Sequence, residues 1–168
     1  MKSLLVSRRT TDANELAAKL WRVWVYARDN QGGREFLSLV LDRPAAAATR
    51  AHALALYSDG LLAFRMNDLA ASHARNEAAV VEAHAVPDRE AEGLALLGLS
   101  RSDLSAGDAA HAREHAAASR RLLLPLGAEW GQAPLHMLAQ DARLTGALDE
   151  AATLFEESLA LNRSLGDA

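Results

Sequence analysis

Apolar residues recur along this chain at helical spacing, and short polar turns interrupt them at a steady interval. The pattern is clearest from Leu135 to Leu161, LHMLAQDARLTGALDEAATLFEESLAL, which predicts two amphipathic helices joined at Thr145-Gly146. Upstream, Leu16, Leu20, Trp24 and Ala27 form one stripe and predict a first helix over about residues 13–27, opened by Asp12 and Glu15. A second helix is predicted over about 31–41, through Phe36, Leu37 and Val40. Gly32-Gly33 near its start is weak for a helix interior, and is accommodated if Gly33 stands where two helices touch. Leu54, Tyr57, Leu61 and Phe64 predict a third helix over about 46–65, restarted after Pro44. The fourth covers about 69–84, and the fifth about 89–105 after Pro87-Asp88. The sixth runs to about Leu124, where Pro125 and Gly127 end it. The seventh starts near Ala128, and the eighth ends near Leu165-Gly166. Residues 1–12 lack a clear period and are set apart as a disordered N-terminal segment.

The turns Arg28-Asp29, Asn67-Asp68, Gly107-Asp108 and Gly146-Ala147 recur at intervals of 39, 40 and 39 residues. Such regularity marks an internal repeat, with hairpins over about 13–42, 46–85, 88–125 and 128–166. A lone helical hairpin cannot bury both its faces, so neighbours must stack. The predicted fold is therefore all-α: a right-handed α-solenoid of about four hairpins and eight helices, in a single repeat domain. The first helix of each hairpin is expected to line a concave face. Within the last hairpin, Ala139, Ala151, Phe155 and Ser158 follow one another at intervals of twelve, four and three. This resembles the packing skeleton of a tetratricopeptide (TPR) repeat: small, small, aromatic, small. Two hairpins depart from it. Ser72 and Asn76 stand where Ala and an aromatic are usual, and the third hairpin has Ala112 and Ala116 with no aromatic. Looser packing is expected in both.

Three stretches extend the resemblance to the TPR regions of large ATP-binding transcription regulators of the LuxR, maltose-activator-like type. They are Leu20-Trp21-Arg22-Val23-Trp24 with Gly33-Arg34-Glu35-Phe36-Leu37, residues 53–68, and residues 133–167 with the closing Leu165-Gly166-Asp167. Those regulators also carry a P-loop ATPase and a DNA-binding helix-turn-helix. This sequence has no GxxxxGK[ST] and no three-helix reader with a basic recognition helix. The resemblance thus implies the sensor or interaction part alone.

Composition narrows the function classes. Half the residues are hydrophobic but only 5% are aromatic, and alanine carries much of the apolar count, which suits closely packed helices. The net charge is -4 with both signs interspersed, unlike the basic face a nucleic-acid partner requires. With no cysteine, disulfides and thiolate metal sites are excluded, and a reducing cytoplasm is the simple reading. The start, MKSLLVSRRTTD, lacks the apolar core of a signal peptide, and no apolar run approaches bilayer length.

Placed on the repeat, the inner-face candidates are Arg22, Tyr26, Tyr57, Leu61, Phe64, Arg65, Arg101, His136, Gln140 and Arg143. Arginine forks suit carboxylates, and aromatics supply contact area. The set points to a peptide or protein partner, or a small effector, bound without catalysis. His111 and His115 could share a metal, but a zinc-protease helix needs Glu where Ala112 stands. A solvated helix face is the plainer reading, and neither a metal nor another cofactor is expected. Trp21, Trp24 and Trp130 could form a ligand cage, but large aromatics at helical spacing are more often core, and they read as core. The acid pairs Glu156-Glu157 and Asp149-Glu150 point in different directions around a helix and read as surface. No nucleophile motif is present. Two alternatives stand beside the interaction module. One is a small biosynthetic enzyme or ligand carrier with a pocket among Tyr57, Phe64, Arg101 and His136. The other is a self-assembling scaffold: Leu154, Leu159 and Leu161 are expected on an uncovered side of the last hairpin, giving a homodimer.

Overall fold

A computed structural model describes residues 2–42 and 47–166, with side chains from Asp12 onward. Among the described residues there are eight α-helices and no strand. They are α1 (Lys2–Ala27), α2 (Asn30–Leu41), α3 (Arg50–Arg65), α4 (Leu69–Ala85), α5 (Arg89–Ala106), α6 (Ala109–Leu123), α7 (Ala128–Leu144) and α8 (Leu148–Gly166). A 3-10 turn, Leu124–Leu126, joins α6 to α7 around Pro125. The four predicted turns fall between α1 and α2, α3 and α4, α5 and α6, and α7 and α8, so the chain is an α-solenoid of four hairpins. Pro44, the predicted restart of the third helix, lies outside the described residues, as does Asp167. The N-terminal segment differs from expectation: α1 begins at Lys2 and continues without a break into the predicted first helix. No Pro or Gly occurs in α1 to stop propagation, and once a helix has nucleated each added residue gains a hydrogen bond.

Short polar residues set the helix starts. Asp29, Thr49, Asp68, Asp88 and Asp108 are N-caps, each side chain accepting a hydrogen bond from the backbone N–H three residues on. Such caps are worth about 1 kcal/mol each. The residue before the cap reverses the chain: Arg28, Asn67 and Gly107 have φ of 59°, 62° and 86°, and Gly146 at the last turn has 83°. This left-handed geometry closes the preceding helix.

Small residues let the helices touch. Gly33, Ser72, Ala112 and Ala151 are buried at equivalent places early in each second helix. A β-carbon on Gly33 would come within 2.6 Å of Leu62 and 2.8 Å of Trp24, so this glycine does stand at a helix contact. Trp24 packs on Phe36 at 5.5 Å and belongs to the core with Leu37 and Leu62. Hairpins two and three pack at least as closely as the last, contrary to expectation. In the second hairpin and its contact with α5 the reason is Asn76, fully buried against α3 and α5. A β-carbon on Gly60 or Gly98 would lie 2.5 Å or 2.1 Å from its carboxamide, so the bulk missing from those two positions is supplied by Asn76.

The joints between hairpins carry buried charge. Asp59 of α3 accepts from Arg34 of α2 at 3.1 Å and from Arg75 of α4 at 2.8 Å. Asp103 of α5 lies 3.3 Å from His73 of α4 and 2.8 Å from His115 of α6. Asp141 of α7 accepts from Arg113 of α6 at 3.0 Å. At each carboxylate one basic group (Arg34, His73 or Arg113) reaches from the second helix of the preceding hairpin, while Arg75 and His115 pair within their own hairpins. Burial works to lower the Arg34 pKa, but Asp59 and then Asp68 carry it above the ordinary value. Arg113 is also raised, through Glu150 and then Asp141.

Candidate functional site

The first helices α1, α3, α5 and α7 pack side by side in chain order, and α2, α4 and α6 each wedge between their own first helix and the next one. The row of first helices curls inward. The guanidinium of Arg22, on α1, lies 5.1 Å from the ring centre of Trp21 and 5.5 Å from that of Trp130, on α7 at the far end of the row. The open side of the row is therefore concave, and one arginine side chain spans it there.

Two cavities open on this region. The first, about 320 Å³, is lined by Arg101 of α5, by Glu129, Gln132, Ala133, His136 and Met137 of α7, and by Ser158 and Asn162 of α8. Arg101 is half-buried, and its Nη1 is buried without a hydrogen-bond partner among the described residues. His136 is exposed, and its ring meets Phe155 edge-on at 5.8 Å. The Gln140 amide lies 3.3 Å from His136 Nε2, and its Oε1 accepts from Arg143 Nε at 3.0 Å. His136, Gln140 and Arg143 thus form a polar string along α7. The second cavity, about 370 Å³, is lined by Trp21, Arg22, Val25, Tyr26, Glu129 and Trp130. Tyr26 is 84% exposed. Glu129 lines both cavities.

The predicted inner-face residues therefore divide. Arg101 and His136 share the first cavity, with Gln140 and Arg143 continuing from it. Arg22 and Tyr26 share the second. Tyr57 and Leu61 are in the core; the Tyr57 ring meets Trp21 edge-on at 5.7 Å and leaves no free face. Phe64 is half-buried and Arg65 exposed near the end of α3, and neither lines these cavities. The enzyme-like pocket considered above does not form as drawn, because the cavity holding Arg101 and His136 contains neither Tyr57 nor Phe64. Trp21 and Trp130, read as core, are only partly buried, and each also lines the groove. The sequence admits a tryptophan cage as the lesser reading beside core; what had no signal was that Trp21 and Trp130, on the first and seventh helices, meet at one cavity. Gln132 and Asn162 carried no periodic signal either, and Ser158 was visible only as a small packing residue.

The other candidate groups have structural partners. His111 Nδ1 pairs with Asp108 at 2.7 Å, which holds the Asp108 carboxyl below its usual range and the imidazole above its own. His115 Nδ1 faces Asp103. The two rings stack at 6.3 Å. Glu150 and Glu157 are ion-paired to Arg113 and Arg120 of α6, so each acidic pair contributes one member to a helix contact. Among the described residues no helix is long and apolar enough to cross a membrane.

No family model and no curated protein matches the sequence. The fold does match: a crystal structure of nearly identical TPR-like repeats, from a Podosopora anserina protein described as a kinesin light chain, superposes with a TM-score of 0.67. The match covers 95% of this chain and 77% of that one, at 17% identity. At that identity the likeness speaks for architecture alone, and it places the chain among TPR-like helical repeat arrays, a fold that commonly mediates protein–protein interactions.

Proposed function

We propose that the protein is a non-catalytic interaction module that binds a peptide or protein partner, or a small effector, on its concave face. The observation that carries this reading is Arg101, which lines a cavity of about 320 Å³ while its buried Nη1 has no partner among the described residues. A buried guanidinium nitrogen left without an acceptor is costly, and a carboxylate is its natural complement. His136, Gln132, Ser158 and Asn162 add donors and acceptors around the same space, and Arg143 supplies a second positive charge nearby. The resemblance of residues 20–37, 53–68 and 133–167 to regulator repeats supports a sensor role within a cytoplasmic transcription regulator.

A peptide array spanning acidic and C-terminal-carboxylate sequences tests this. Binding lost on Arg101→Glu with Arg143→Glu supports the groove, and unchanged binding removes it from the account.

Self-association has its own support. Leu144, Leu148, Leu159 and Leu165 are 58%, 65%, 48% and 39% exposed. Of the three leucines expected to face water, Leu159 does, whereas Leu154 and Leu161 are half-buried. Apolar surface of this kind commonly marks an association site. On this reading two copies meet through the α7–α8 hairpin. Sedimentation at high micromolar concentration is expected to show a dimer that Leu148→Glu with Leu159→Glu dissociates. A wild-type monomer under those conditions contradicts it.

A further inference from the structure

We propose that Trp21 and Trp130 form a cation-binding site that the chain's own Arg22 fills in this structure, and that a ligand bearing a guanidinium or alkylated ammonium group displaces it. The faces of indole rings are electron-rich and attract cations, most strongly where water is excluded. Here two such faces, from opposite ends of the helix row, lie 5.1 Å and 5.5 Å from one guanidinium carbon.

What sets Arg22 apart is what it touches. Arg34, Arg50, Arg75, Arg113 and Arg120 reach carboxylates. Other arginines, Arg101 and Arg143 among them, also have no ion pair among the described residues, but Arg22 is the arginine placed over aromatic rings there. Glu129 lines the same cavity and likewise has no ion pair among the described residues. A side chain held only by π faces exchanges readily for another cation of similar shape, because the rings lose nothing in the exchange.

The surroundings suit such a ligand. The adjoining space of about 370 Å³ accepts a lysine- or arginine-sized side chain, and Tyr26 offers a third ring at its rim. Displacement leaves two positive charges in one cavity, and Glu129 neutralises one of them. A ligand anion finds no comparable welcome, since the cationic side chain lining that cavity, Arg22, already lies over both rings. The bound cation takes over the bridge between the first and last hairpins, so occupancy and closure of the groove are linked. The site does not depend on the carboxylate-binding reading of Arg101, and small cations suffice to probe it.

The test uses the full chain, with Nα-acetyl-arginine amide, tetramethylammonium chloride and sodium acetate as probes, followed by calorimetry and tryptophan fluorescence at constant ionic strength. Both cations are expected to bind saturably and to change the indole emission. Arg22→Ala, an exposed position, vacates the site and tightens cation binding about tenfold. Arg22→Gln, which keeps the stem without the charge, is expected to tighten it less. In the Arg22→Ala background, Trp130→Phe retains weakened binding, and Glu129→Gln weakens it several-fold. Cation affinity that is unchanged or reduced in both Arg22 variants overturns the proposal, as does the absence of saturable cation binding in them. Acetate binding that vanishes in Arg22→Ala also overturns it, since Arg22 would then be an anion receptor.

Discussion

Arg28 is a residue whose identity and conformation disagree. Its φ of 59° places it in the left-handed region, at the turn where Asn67, Gly107 and Gly146 do the same work. A β-carbon there costs about 1 kcal/mol, which glycine avoids and asparagine partly offsets. Arg28→Gly is therefore expected to stabilise the fold by about 0.5 kcal/mol, the gain being trimmed by the freer unfolded chain. Gly107→Ala is expected to cost about 1 kcal/mol. No atom lies within 4 Å of the added methyl, so that loss would be purely torsional. Urea midpoints at constant slope measure both; an Arg28→Gly variant weaker than wild type would mean that the Arg28 side chain makes a contact outweighing its backbone strain. The turn itself was legible because a capping aspartate follows Arg28. The backbone conformation was not, since arginine gives no hint of a positive φ.

At the level of helix pairs, the hydrophobic period located seven of the eight helices within a few residues, started α1 about eleven residues too late, and misjudged the packing of the second hairpin. Asparagine in place of an aromatic suggested a loose contact. In the structure Asn76 is fully buried, its Nδ2 donating to the Ser72 carbonyl at 2.7 Å, with glycines of α3 and α5 facing it. Complementarity of this kind is spread over three helices, and no single-helix pattern reveals it. It can be measured as a coupling. Gly98→Ala is expected to cost about 2–3 kcal/mol, because its methyl would sit 2.1 Å from Asn76 Oδ1 in a space already full. In an Asn76→Ala background the same change is expected to cost less than about 1 kcal/mol. Strict additivity of the two substitutions would show that α5 moves away from Asn76 and that the pair does not set the helix spacing.

For the whole molecule, the 39- and 40-residue spacing of the turns announced a stack, but not what fastens one hairpin to the next. Asp59, Asp103 and Asp141 stand at different distances from their turns, so no periodic reading aligns them. The inward curl that carries Trp130 to Arg22 was equally hidden, because it sums small rotations at three joints. The first joint shows best how the fastening works. Asp59 is 3% exposed, whereas the side chains of Arg34 and Arg75 are 24% and 35% exposed. The carboxylate depends on the arginines more than they depend on it, since each guanidinium can turn to water. Asp59→Asn keeps an acceptor in place and is expected to cost about 1–2 kcal/mol. Arg34→Met with Arg75→Met strands the carboxylate in the joint and is expected to cost about 3–5 kcal/mol at neutral pH. Urea titrations of the three proteins at neutral pH compare the two losses. A double-methionine variant no weaker than Asp59→Asn would mean that apolar packing, not ion pairing, fastens the first joint.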